Sequence, residues 1–131
     1  MHKVLIVDDS AMVRRKLRDI VAADPNWQCC GEADSGETAI VAAAGSKPDA
    51  IIMDVSMPGM GGVKASETIH AAYPAIKILV LTVHVSSELM RVALSAGALG
   101  YIVKSDADEQ LIAALNTVAS NRKYVPASDE A

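Results

Sequence analysis

The sequence predicts an α/β domain of five successive βα units, (βα)5, and three observations carry that prediction. Short apolar runs alternate with stretches of helical period, the runs are almost continuously apolar, and the 131 residues are 51% hydrophobic. Alternating strand and helix patterns are the signature of repeated βα units, and therefore of a parallel sheet. Continuous apolarity, in place of an in-and-out alternation, is expected where helices cover both faces of the sheet. The length suits one domain, and this apolar content can fill its core without cofactors or crosslinks.

The first strand is expected over Lys3 to Val7, and the helix after it carries Val13, Leu17, Ile20 and Val21 at helical spacing. The second strand reads Gln28 to Ala33 and the second helix Gly36 to Ala44. Ala50 to Met53 is the third strand, followed by a helix over Val63 to Ala72. Ile76 to Leu81 and Ser87 to Ala96 form the fourth pair; Gly100 to Val103 is the last strand, and Leu111, Leu115 and Val118 mark the last helix. Pro48, Pro58 and Pro74 fall in the connections.

Composition excludes several classes of function. Net charge is −4 and the basic residues are scattered, so this chain alone is not expected to bind DNA or an anionic membrane. No apolar run approaches the roughly 18 to 20 residues that span a bilayer, and no signal peptide opens the chain, which predicts a cytoplasmic protein. Cys29 and Cys30 are adjacent on a predicted strand, where side chains point to opposite faces; they read as reduced packing residues.

The chemistry lies where the strands end. Asp8 and Asp9 follow the first strand, Asp54 the third, Thr82 the fourth and Lys104 the fifth. Ligands of an open parallel sheet bind beyond the carboxyl ends of its strands, so these residues are expected to converge. Carboxylates crowded together raise one another's pKa unless a cation shares the site, and an all-oxygen cluster suits a hard ion such as Mg²⁺. A metal and an ammonium beside a carboxylate fit phosphoryl transfer onto Asp54 as a covalent nucleophile. Lys104 and the metal would neutralise the phosphoryl oxygens, and Thr82 would donate a hydrogen bond to one of them. Each residue also has a plainer reading: Asp9 or Ser10 as a helix cap, Lys104 as a solvated lysine, Thr82 as an ordinary strand residue. The convergence favours the site.

With "VLIVDDSAMVRRKL", "PDAIIMDVSMPGMGG", "LVLT" and "GALGYIVKSD" in this order, the chain closely resembles the response-regulator receiver family, the CheY-like domains of two-component signalling. The resemblance implies a doubly wound, flavodoxin-like sheet of order 2-1-3-4-5. It also implies phosphorylation of Asp54 by a sensor histidine kinase or phosphotransfer protein, without a separate substrate. The Mg²⁺ would be held by Asp9, Asp54 and the backbone carbonyl of Ser56, with Asp8 acting through water. Thr82 and Tyr101 correspond to the family's switch pair, and His84 to a position that tunes dephosphorylation. For Tyr101 a packed edge-strand tyrosine is an equal reading, as is an exposed loop histidine for His84.

"LTVH", "GALGYIVK" and "NRKYVP" look most like the NarL/FixJ subfamily, whose receivers normally precede a helix-turn-helix domain. Residues 1–122 are then the receiver and 123–131 a tail or the start of a linker. An output in transcription through an attached domain is favoured, with homodimerisation on phosphorylation a further expectation and a stand-alone receiver the alternative. The loop "MPGMGG" has Gly61 where many relatives carry Asp, and Val83 stands where the wider family prefers a very small residue, which predicts altered rates with activity retained. Arg14, Arg15 and Arg18 read as a partner-docking cluster or a solvated face. Two rival functions fit less well. A flavodoxin-like cofactor would be repelled by Asp8 and Asp9, and a haloacid-dehalogenase-type phosphatase would have its nucleophile after the first strand.

Overall fold

A computed structural model describes residues 1–57, 61–83 and 86–125. Five strands, β1 (His2–Val7), β2 (Trp27–Ala33), β3 (Ala50–Asp54), β4 (Lys77–Thr82) and β5 (Gly100–Val103), alternate with α1 (Ala11–Ala22), α2 (Gly36–Ser46), α3 (Gly61–Ala72), α4 (Ser87–Ser95) and α5 (Ala107–Ala119). All pairings are parallel and the order is β2-β1-β3-β4-β5. This is the doubly wound flavodoxin-like (βα)5 fold that the sequence predicted.

Strand parity builds the two cores. Leu5, Val7, Ile51, Met53, Ile78 and Val80 face one side, against Ala39 and Ala43 of α2, Ala65 and Ile69 of α3 and Ala93 of α4. Val4, Ile6, Ile52, Leu79 and Leu81 face the other, against Leu17 and Val21 of α1 and Leu111, Leu115 and Val118 of α5. Burial of each of the Val, Leu, Ile and Met side chains among these stabilises the fold by about 1.5–3 kcal/mol, so a charge at Ile52, at the centre of the sheet, would unfold it. Cys29 and Cys30 are free and pack on opposite sides, as read. Cys30 is the extra residue of a bulge, since Val4 pairs with Cys29 and Leu5 with Gly31.

Helix starts follow local chemistry. Ser10, Ser35 and Ser86 each accept a hydrogen bond from a first-turn amide, capping α1, α2 and α4. Most boundaries shift by one or two residues from those expected, and at β4 the cause is local. Ile76 precedes β4, because its amide is spent on the carbonyl of Tyr73 in a turn.

After α5, Asn121 adopts a left-handed backbone (φ 60°) that turns the chain back along the sheet. Tyr124 then forms a parallel bridge with Gly100 on the outer edge of β5. Among the described residues no helix is long and apolar enough to cross a membrane.

Candidate functional site

The carboxyl edge of the sheet gathers the residues singled out in sequence. Asp54 is the last residue of β3, fully buried, and Asp8 is fully buried just beyond β1. Asp9, exposed, completes the cluster: one carboxylate oxygen from each of the three lies within 4.8 Å of the others. Ser10 takes the cap of α1, so Asp9 is not the capping residue. Lys104, immediately after β5, reaches back with Nζ 3.0 Å from Asp8 Oδ2 and 3.4 Å from Asp54 Oδ2.

The two buried carboxylates are held by one oxygen each. Asp8 Oδ1 accepts the Ser10 N–H at 2.9 Å, and Asp54 Oδ1 accepts both the N–H (3.0 Å) and the hydroxyl (2.7 Å) of Ser56. The second oxygen of each is buried with no well-formed hydrogen bond among the described residues, the ammonium being the cation that faces both. Burial pushes the Asp8 carboxyl above its ordinary range, and the neighbouring Asp54 charge adds to this, against the lowering effects of the Ser10 N–H and Lys104. For Lys104 burial works against the charge, but the contacts with Asp8 and Asp54 outweigh it and raise the ammonium above its usual range. Two buried carboxylate oxygens that share the Lys104 ammonium, beside a third carboxylate, make a hard, all-oxygen donor set, the kind that fits Mg²⁺.

Thr82 is buried at the end of β4, paired with Val103. Together with Val80, Ser86, Leu89, Met90, Ala93 and Tyr101 it lines a cavity of about 10 Å³. Tyr101 is turned inward, 3% exposed. Val83 is half-exposed beside Thr82, and His84 lies outside the described residues.

Two contributors escaped the sequence reading. Arg14 Nη1 donates to the backbone carbonyl of Asp8 at 2.7 Å, while its Nε donates to Glu32 of β2 at 3.0 Å; Arg18 pairs with the other Glu32 oxygen. Two of the three arginines considered for docking are therefore tied to Glu32, and one of them fixes the acidic turn. Gly62, at the start of α3, packs on the backbone of Asp54, where a Cβ would overlap the carbonyl oxygen and lie 2.8 Å from the carbonyl carbon. The doubled glycine of "MPGMGG" was a usable signal for the second contributor, but no local pattern announces the first.

The Arg14 contact gives a direct expectation. Arg14→Ala leaves the Asp8 carbonyl without its charged donor and should cost about 1.5–3 kcal/mol in urea unfolding. Arg15→Ala, on the exposed side of α1, should stay within about 0.5 kcal/mol. Equal costs would remove Arg14 from the support of this edge.

Fold and site together define a class, a doubly wound α/β domain with three carboxylates and a lysine at its carboxyl edge. Within it the chain belongs to the response regulator receiver domain family, whose model matches residues 4–116. It is 37% identical over 129 residues to the response regulator UvrY of Escherichia coli K12, covering 98% of this chain and 59% of that protein. Over 125 residues it is 36% identical to the response regulator GacA of Pseudomonas aeruginosa, covering 95% and 58%. The chain thus spans about three fifths of the length of these relatives. Among solved structures, a LuxR-family response regulator from Aurantimonas sp. SI85-9A1 superposes with a TM-score of 0.92 at 29% identity, covering 98% of this chain and 91% of that one. The isolated receiver of RcsB from Salmonella enterica, determined with the phosphomimetic BeF3⁻, gives 0.87 at 25%, covering 97% and 94%. These relatives agree with the NarL/FixJ-like character of the sequence.

Proposed function

We propose that Asp54 accepts a phosphoryl group from a histidine kinase or phosphotransfer partner and that the modified domain switches a protein-interaction face. One observation carries this reading: a buried carboxylate has one oxygen pinned by Ser56 and the other facing an ammonium 3.4 Å away, with two further carboxylates beside it. Bound Mg²⁺, held by Asp9 and Asp54, by Asp8 through water and by the Ser56 carbonyl, would neutralise charge on the phosphoryl oxygens. The chain's own residues do the rest. Ser56 fixes the carboxylate, so that an Asp54 oxygen forms the new O–P bond as the donor's P–N bond breaks and its electron pair leaves on the imidazole nitrogen. Lys104 stabilises the charge spread over the transferring group, and Thr82, at the adjacent strand end, donates a hydrogen bond to the product.

The switch is a population shift, because the phosphoryl group must bind two arrangements of Thr82 and Tyr101 unequally. Output follows through protein contacts, including dimerisation. A domain of net charge −4 offers little counterion release to DNA, so control of transcription, the role named for a relative such as DegU of Brevibacillus brevis, would pass to an attached segment.

Incubation with acetyl phosphate and Mg²⁺ should add one labile phosphoryl group in intact-mass spectra, absent without Mg²⁺. Equal labelling of Asp54→Asn would overturn the assignment.

A further inference from the structure

We infer that the outer edge of β5 is a docking surface for the chain's own segment Asn121–Val125, and that the phosphoryl state of Asp54 sets how firmly this segment is held. The inference rests on the phosphoacceptor reading above and extends it to a part of the chain that lies beyond the helices.

The two stretches involved, "GALGYIVK" and "NRKYVP", are distant in sequence and lie against each other. The Tyr124 N–H donates to the Leu99 carbonyl at 3.0 Å, and its own carbonyl accepts the Tyr101 N–H at 3.1 Å. The approach is close enough to require glycine. A Cβ on Gly100 would overlap the Tyr124 carbonyl oxygen and stand 2.9 Å from the Tyr124 Cβ. At the turn, Asn121 takes its left-handed conformation and its Oδ1 accepts Lys77 Nζ at 3.1 Å, tying the segment to the start of β4. The segment straddles the edge, with Val125 packed on the core that holds Tyr101 and Tyr124 packed on the core beneath α5.

Tyr101 therefore touches both halves of the problem. Its ring lines the small cavity shared with Thr82 and Met90, while its amide is spent on Tyr124. A rearrangement that draws Thr82 towards a phosphoryl group and fixes the Tyr101 ring inward also fixes the backbone that holds Tyr124. The arrangement seen here has the ring inward and the segment docked. Phosphorylation accordingly tightens the segment, and by linkage a loosened segment weakens the phosphorylated arrangement by the same factor.

The test uses the full chain with Mg²⁺ and beryllofluoride as the phosphoryl mimic, occupancy being read from the bound ¹⁹F signal. Amide hydrogen exchange at Tyr101 and Tyr124 should slow at least about 5-fold on binding, at the low end of ordinary coupling. Gly100→Ala expels the segment by overlap, and Tyr124→Pro removes the donor to Leu99. Either variant should speed exchange at Tyr101 and weaken beryllofluoride binding by the factor seen in wild type. Should one variant fail to fold, the other and the wild-type exchange still decide. Unchanged exchange at both amides with the site occupied would overturn the clip and leave the phosphoacceptor standing. Absence of any bound ¹⁹F signal would overturn the phosphoacceptor reading and the coupling with it.

Discussion

Lys104→Met is expected to slow phosphoryl transfer to Asp54 by about 10²- to 10³-fold at saturating Mg²⁺, the ordinary cost of removing one preorganised electrostatic group. The ammonium sits 3.0 Å from Asp8 and 3.4 Å from Asp54, so it needs little reorganisation to meet charge that develops on a group transferred to Asp54. Methionine keeps the length and loses the charge. Its effect should appear in the single-turnover rate with a small-molecule donor, because the variant leaves all three carboxylates proposed to hold the metal in place. An unchanged rate would confine Lys104 to a structural role. Stability gives an independent check through pH. Since the Lys104 pKa is raised in the fold above its ordinary 10.5, its contribution is fully present below that value and is lost as pH rises through the folded pKa. Metal-free wild type should therefore lose stability on the alkaline side in a step that Lys104→Met lacks.

What the sequence made legible follows from topology. Once the strands are parallel, every carboxyl end lies on one edge, so Asp8, Asp54, Thr82 and Lys104 could be placed together without knowing which strands are neighbours. Strand order itself is invisible to periodicity; it came from the resemblance, and the pairing β2-β1-β3-β4-β5 agrees with it. Contacts made to the backbone, whether local or distant in sequence, were not readable from periodicity for a different reason. The Arg14 bond to the Asp8 carbonyl, the seat of Gly62 on Asp54 and the pairing of Tyr124 with β5 leave no period in the chain. The same holds for small boundary shifts. Ile76 reads as strand by its apolarity and is buried as expected, yet its amide belongs to a turn. Ser10 and Asp9 were equivalent candidates for the cap, and geometry alone separates them.

The acidic edge carries a cost to the fold that metal should relieve, and Asp8→Asn isolates it. In the metal-free protein this variant is expected to be more stable than wild type by about 1–2 kcal/mol, or roughly 3–6 °C in melting temperature for a domain of this size. Asp8 is fully buried, and its second oxygen faces the Lys104 ammonium, which it shares with Asp54. Asparagine keeps an acceptor for the Ser10 N–H and places its amide nitrogen where Oδ2 faced Lys104, so the ammonium must swing off it onto Asp54, which leaves no unpaired charge behind. The sign follows from the raised Asp8 pKa. The folded state holds the proton more tightly than the unfolded state, so metal-free stability rises as pH falls through the folded pKa towards 3.8, and the variant lacks that dependence. Magnesium reverses the order. With Asp8 acting on the metal through water as proposed, its loss should cut affinity about 10- to 100-fold, so wild type would gain more stability from a given Mg²⁺ concentration and the two melting curves should exchange places in a titration. If Asp8→Asn is instead the less stable protein without metal, the Asp8–Lys104 pair is a net support of the fold and the like charges at this edge are already fully compensated by the chain's own residues.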